Sequence, residues 1–152
     1  MQQMLTETLK KLFNRDLTRL RSEIDAYQNE TNLWRIDRDI ANSAGNLCLH
    51  LIGNLNTYIG ATLGGTNYIR NRELEFSLKD IPKQELIKMI EETITVVSDS
   101  LNRVSDEQLD GEYPILVFEE KTSTEFFLVH LTTHLTYHLG QINYHRRLLD
   151  RE

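Results

Sequence analysis

Along the first thirty residues apolar positions recur three or four apart, at Leu5, Leu9, Leu12, Phe13, Leu17, Leu20 and Ile24, with no glycine or proline among them. That spacing gathers one apolar stripe and predicts a long amphipathic helix over 1–30. A second periodic run goes from about Asp37 to Leu63, where Gly64-Gly65 stops it as glycines beyond a helix C-terminus do. In "RNRELEFSLKD", Leu74, Phe76 and Leu78 alternate with polar residues, the period of a short extended piece. A third helix is predicted from "DIPKQEL", with Asp80 as cap and Pro82 in the first turn, to about Val104. Its stripe is Leu86, Ile87, Ile90, Ile94, Val97 and Leu101. The Asp110-Gly111 pair marks a turn, and "EYPILVFEE" after it reads as a short strand or an extended loop. Thr122 and Glu125 have the spacing of a capping box ahead of "FFLVHL", opening a fourth helix that continues to about Asp150.

Four long helices without a convincing set of strands predict an all-α protein, one four-helix-bundle domain over residues 1–152. A chain of 152 residues can bury a core without disulfides or a structural metal. Its 39% hydrophobic and 26% charged residues are those of a globular protein, not a disordered one. A formal charge of -6, with lysines and arginines scattered among the acids, offers no basic stripe and excludes nucleic acid as the expected partner. Cys48 is the single cysteine, so neither an internal disulfide nor a thiolate cluster is available, and the cytoplasm is the expected compartment. Apolar runs such as "ILVF" at 115–118 are far too short for a signal segment or a membrane span, so no membrane partner is expected.

The chemistry concentrates in "VHLTTHLTYHLGQIN", which holds His130, His134 and His138 at four-residue intervals. Residues four apart on a helix lie ~40° apart and ~6 Å along the axis, so two such imidazoles can reach one ion. His130 and His138 are ~12 Å apart along the axis, too far for all three to share it, so one is a spectator and a further ligand comes from elsewhere. The same rotation puts His134, His138, Phe127, Leu131, Gln141, Ile142 and Leu149 on the face expected to look inward. Buried imidazoles need hydrogen bonds or a cation. The histidine in range is His50, within "NLCLHLIGNLNTYIG", at the edge of the stripe of Leu47, Leu51 and Leu55 and flanked by Asn46 and Asn54. His145 lies ~10.5 Å beyond His138 and reads as a surface or boundary residue. Cys48 points about 160° away from His50 and Trp34 reads as core cover in a loop.

The segment "HLTYHLGQI" resembles the C-terminal helix signature of the DinB/YfiT-like four-helix bundles, and "LCLHLIGNL" resembles the helix that supplies their third histidine. "GNLNTYIGATLGGTNYIRNRELEF" is similar to the connector of one poorly characterised branch, so the likeness runs from about Asn42 to Leu149. The resemblance implies His50, His134 and His138 as metal ligands with His130 as the spectator. Where relatives commonly carry His-Arg-Gly-Gln, this chain has His138-Leu139-Gly140-Gln141. It further implies a divalent cofactor, zinc or nickel first and manganese or iron next, and a homodimer. The implied activity is transfer by a metal-dependent enzyme using a low-molecular-weight thiol, or hydrolysis of a small-molecule substrate. The non-catalytic alternative is a stress-response or interaction module whose histidines pack the core around a structural metal or none. Asn54, Tyr58, Tyr137 and Gln141 are candidates for orienting the imidazoles, since a ligating histidine needs a partner for its distal N–H. Arg70, Arg72, Glu73 and Glu75 follow the glycine stop and read as a solvated charged loop, with Arg70 and Arg72 the candidates for a substrate if that loop covers the bundle mouth.

Overall fold

The computed structural model describes residues 2–151. Helix α1 spans Gln2–Asp25, and a 3-10 turn over Glu30–Trp34 follows. Helix α2, Ala44–Leu55, runs on through a π-helical stretch, Asn56–Ala61, into a last turn α3, Thr62–Gly64. A short helix α4, Arg72–Ser77, precedes the long α5, Lys83–Asn102. Then come α6, Asp106–Asp110, and α7, Thr124–Leu149. The long helices pack in a ring, α1 on α5 and α7 and α2 on α5 and α7. The α1 stripe of Leu9, Phe13, Leu17, Leu20 and Ile24 is fully buried, as its spacing requires. Among the described residues there is no β-strand, and no helix is long and apolar enough to cross a membrane.

Several boundaries differ from the sequence reading, each for a local reason. Helix α1 stops at Asp25, and residues 35–43 form a loop, not the start of α2. Ser43 is the true cap of α2, its side chain accepting from the Asn46 N–H, while Arg38 sits in the loop at a left-handed φ of 52° that no helix accommodates. Asp80 does not cap α5, for its φ of 61° places it outside the helix, and Pro82 occupies the cap position with α5 starting at Lys83. The cap of α7 is Ser123, whose side chain accepts from the Phe126 N–H. The Thr122 carbonyl instead accepts from Tyr113 N–H at 2.8 Å, beside an isolated antiparallel bridge between Glu112 and Ser123. Among the described residues that bridge is the only β-pairing of the 112–120 segment. Gly65 ends the α2–α3 run in the left-handed conformation, φ 70°, as the glycine pair predicts.

The largest departure is α4. The alternation of Leu74, Phe76 and Leu78 suggests an extended piece, yet Asn71 caps a helix there by accepting from the Leu74 N–H. The alternating leucines Leu74 and Leu78 lie exposed, and the residue α4 buries is Glu75. Helix α4 packs against α2, which carries that carboxylate to the candidate site.

Candidate metal centre

Every residue of α2 from Ala44 to Leu55 is buried, so His50 at its middle is enclosed, with 7% of its surface exposed. On α7 the inward stripe is Phe127, Leu128, Leu131, Leu135, Leu139, Ile142 and His145. His134 and His138 flank that stripe half-buried, and Gln141 is exposed, so the face is rotated from the one read in sequence. The pairs His50 with His134 and Tyr58 with Phe127 run in opposite chain directions, so α2 and α7 are antiparallel.

The helices bring together His50, His134 and His138, and one ring nitrogen from each lies within 4.8 Å of the others. Nε2 of His50 and Nε2 of His134 are 3.2 Å apart. The ring centroids of His138 lie 5.3 Å from His50 and 4.6 Å from His134. A tetrahedral ion with Zn–N bonds of ~2.0–2.1 Å sets its ligand nitrogens ~3.3 Å apart, so the His50–His134 pair already has ligand spacing. The three can hold a metal ion.

What surrounds the rings fixes which nitrogen faces inward. His50 Nδ1 lies 3.1 Å from Oε1 of Glu75. Arg70 Nη2 stands 3.3 Å from the same nitrogen, but the carboxylate is nearer and is the stronger acceptor, so the proton sits on Nδ1 and points at Glu75. Nε2 of His50 is then a lone pair aimed at His134. His138 Nδ1–H donates to Gln141 Oε1 at 2.7 Å, which likewise leaves its Nε2 free. Arg70 grips Glu75 with Nε at 2.8 Å from Oε2 and Nη2 at 3.0 Å from Oε1. Nδ1 of His134 is buried without a partner among the described residues, as is Oδ1 of Asn54 one turn past His50.

Electrostatics favours neutral imidazoles. Burial, reinforced by the neighbouring His138, His50 and His130 and by Arg70, pushes His134 down to about 4. Burial also lowers His138, against the opposing effect of the hydrogen bond it donates to Gln141. Burial by itself would raise the Glu75 carboxyl, but hydrogen bonds from His50 and Arg70, with the Arg70 charge, outweigh it and hold the group below the ordinary carboxylate range. An ionised Glu75 behind neutral imidazoles is the carboxylate–histidine arrangement that orients metal ligands.

The chain matches the model of DUF1572, described as a protein family of unknown function, over residues 2–152. The protein belongs to the DUF1572 family. No curated protein matches the chain. In this DUF1572 chain the other candidates fall into place unevenly. Of the four residues considered for orienting the imidazoles, Gln141 bonds one directly. Tyr58 meets Phe127 edge-on and lies under the Arg70 guanidinium, 5.7 Å from its ring centre, so it backs the arginine. Tyr137 is 65% exposed with its ring 5.3 Å from that of His138. Arg72 is exposed and stacks over Phe76, whose ring is 5.1 Å from His50. The solvated-loop reading fails for Arg70 and Glu75, whose side chains are only 14% and 6% exposed. Glu75 is the residue that sequence reasoning undervalued, and its signal was indirect: Gly53, on α2, is the gap that admits its carboxylate.

The remaining histidines are not ligands of this cluster. His130 lies against Phe118 and Phe127 and stacks at 6.4 Å from His134. His145, expected at the surface or boundary, is 7% exposed. Its Nε2–H donates to the Arg35 carbonyl at 2.9 Å and its Nδ1 accepts from the Tyr27 hydroxyl at 2.6 Å, so it pins the 35–43 loop to α7. Cys48 is buried and its thiol is pushed up to about 12, consistent with packing and not with nucleophilic chemistry.

Proposed function

We propose that His50, His134 and His138 bind one divalent cation and that the protein is a metal-dependent enzyme of the DinB/YfiT-like kind, a thiol-using transferase or a hydrolase. The observation that carries the reading is the 3.2 Å approach of two imidazole Nε2 atoms across α2 and α7, with the proton of His50 committed to Glu75 on the far side. Burial disfavours a second proton on His134. In the neutral ring the one N–H either bridges the two Nε2 atoms or sits on the unpartnered Nδ1, and in the second case both Nε2 lone pairs face one point where a cation fits. When bound, a cation with three protein nitrogens keeps a position open and supplies Lewis-acid activation of a water or a low-molecular-weight thiol. Zinc, nickel and iron suit imidazole ligands, and manganese, which favours oxygen, suits them less.

The chain's own residues would do the rest. Glu75 holds the His50 proton at Nδ1, and Arg70 keeps Glu75 ionised and in place. Gln141 does the same for His138. The leucine stripe of α7 beneath the rings excludes water from the protein side of the site. The test is elemental analysis of tag-free protein beside His50→Ala and His138→Ala. About one divalent ion per chain, lost in both variants, supports the reading and justifies screening thiol transfer and hydrolysis. Wild type that carries none and cannot be loaded with Zn²⁺, Ni²⁺ or Mn²⁺ ends it, and leaves the histidines as packing in a non-catalytic module.

A further inference from the structure

Beside His138 the surface opens into a groove of about 1040 Å³ between the 35–43 loop and the C-terminal half of α7. Volumes near this size hold small-molecule ligands. One wall is a helical stripe, Tyr137, His138, Gln141, Tyr144 and Leu148, that continues from the His cluster along α7 for about 16 Å. Its apolar members are exposed: Tyr137 is 65%, Tyr144, with the Arg147 guanidinium 5.3 Å over its ring, 63% and Leu148 60% exposed. The facing wall is pinned twice, by His145 on the Arg35 carbonyl and by Arg35 Nη1 donating to the Leu149 carbonyl at 2.8 Å. The groove is therefore built into the fold.

Its charge is as informative as its shape. Three arginines, Arg35, Arg38 and Arg151, line it against two aspartates, Asp37 and Asp39, leaving one positive charge on a chain whose total is -6. Arg38 and Arg151 have no carboxylate partner among the described residues. Arg38 is held at the tip of its turn at φ 52°, a conformation that costs a non-glycine residue energy and that glycine would adopt freely.

We infer that this groove binds an elongated organic monoanion, its aromatic or alkyl body on Tyr137, Tyr144 and Leu148 and its acid group at Arg38 and Arg151. One net positive charge selects a monoanion over a polyphosphate, and the stripe delivers the far end of the body to His138. Only that last point rests on the metal reading; binding in the groove does not.

The test uses the full chain in chelator with two fluorescent probes, 8-anilinonaphthalene-1-sulfonate and its uncharged counterpart N-phenyl-1-naphthylamine. Leu148→Glu should abolish a saturable site for both probes, while Leu116→Glu, at another exposed apolar position, should leave it intact. Arg38→Gly should weaken the sulfonate probe roughly two- to fivefold, the range of an exposed ion pair, and leave the neutral probe unchanged. Because glycine relieves the strain, that loss cannot come from unfolding, and a melt confirms it. Unchanged sulfonate binding in either groove variant overturns the proposal, as does a Leu148→Glu chain that turns from dimer to monomer, which would make the groove a contact between copies. Zinc is then added to wild type and His50→Ala. A shift in sulfonate binding confined to wild type joins groove and metal, whereas no shift overturns the reach of the bound anion to His138 and leaves binding in the groove standing.

Discussion

Two glycines in helices should respond oppositely to the same substitution. An alanine gains ~0.8–1.0 kcal/mol over glycine in a helix interior. At Gly140 of α7 an added Cβ meets nothing within 4 Å, so Gly140→Ala should be stabilising by about that amount, raising Tm by roughly 2–4 °C for a chain of this size. At Gly53 of α2 the same Cβ would stand 1.9 Å from Oε2 and 2.7 Å from Cδ of Glu75. The carboxylate must leave, and with it go the contacts to His50 and to both Arg70 nitrogens. Breaking a buried charge pair costs about 3–5 kcal/mol, which exceeds the helix gain, so Gly53→Ala should lose roughly 2–4 kcal/mol. Denaturant melts of both variants at pH 7 in chelator measure this without a contribution from metal. In a Glu75→Ala background the clash is gone, and Gly53→Ala should become neutral or stabilising. A Gly53→Ala protein as stable as Gly140→Ala would show that Glu75 is not lodged against α2, and the assignment of the His50 proton would fall with it.

Glu75→Gln should retain the fold but weaken divalent-metal affinity by about 10–100-fold, read by competition with a chromophoric chelator. Burial alone would raise the Asp16 carboxyl, but hydrogen bonds from Arg15 and Thr136 and the charges of Arg15 and Arg19 outweigh it and hold the group below 3.8. Its contribution is therefore full above that value and is lost as pH falls through the folded-state pKa. Asp16→Asn should cost about 1–2 kcal/mol at pH 7 in denaturant melts and progressively less as the pH is lowered below 3.8, and a cost that does not shrink in acid would rule out this charge as its source. Cys48, with its thiol pushed up to about 12, should resist iodoacetamide at pH 8 in the folded protein and react only after denaturation.

The elements that sequence periodicity located well are those whose burial is one-sided and long. The α1 stripe and the α5 stripe each bury one face, and the 3.6-residue period records it directly. The glycine stop at Gly65 was equally legible, because a left-handed residue past a helix end has few solutions. Four-residue spacing also sufficed to put His134 and His138 on one side of one helix. The approach of His50 across α2 and α7 depends on helix pairing, which no local pattern encodes. Residues 72–77 show the limit most clearly. Their alternation is that of a strand, but a short helix docks on α2 because Glu75 finds a cavity at Gly53 and a partner in Arg70. His145 was misplaced for the same reason: its burial comes from Tyr27 and Arg35, more than a hundred residues away in sequence. Periodicity reports which face of a segment leaves water, and only tertiary packing decides what that face, or a buried charge on it, will meet.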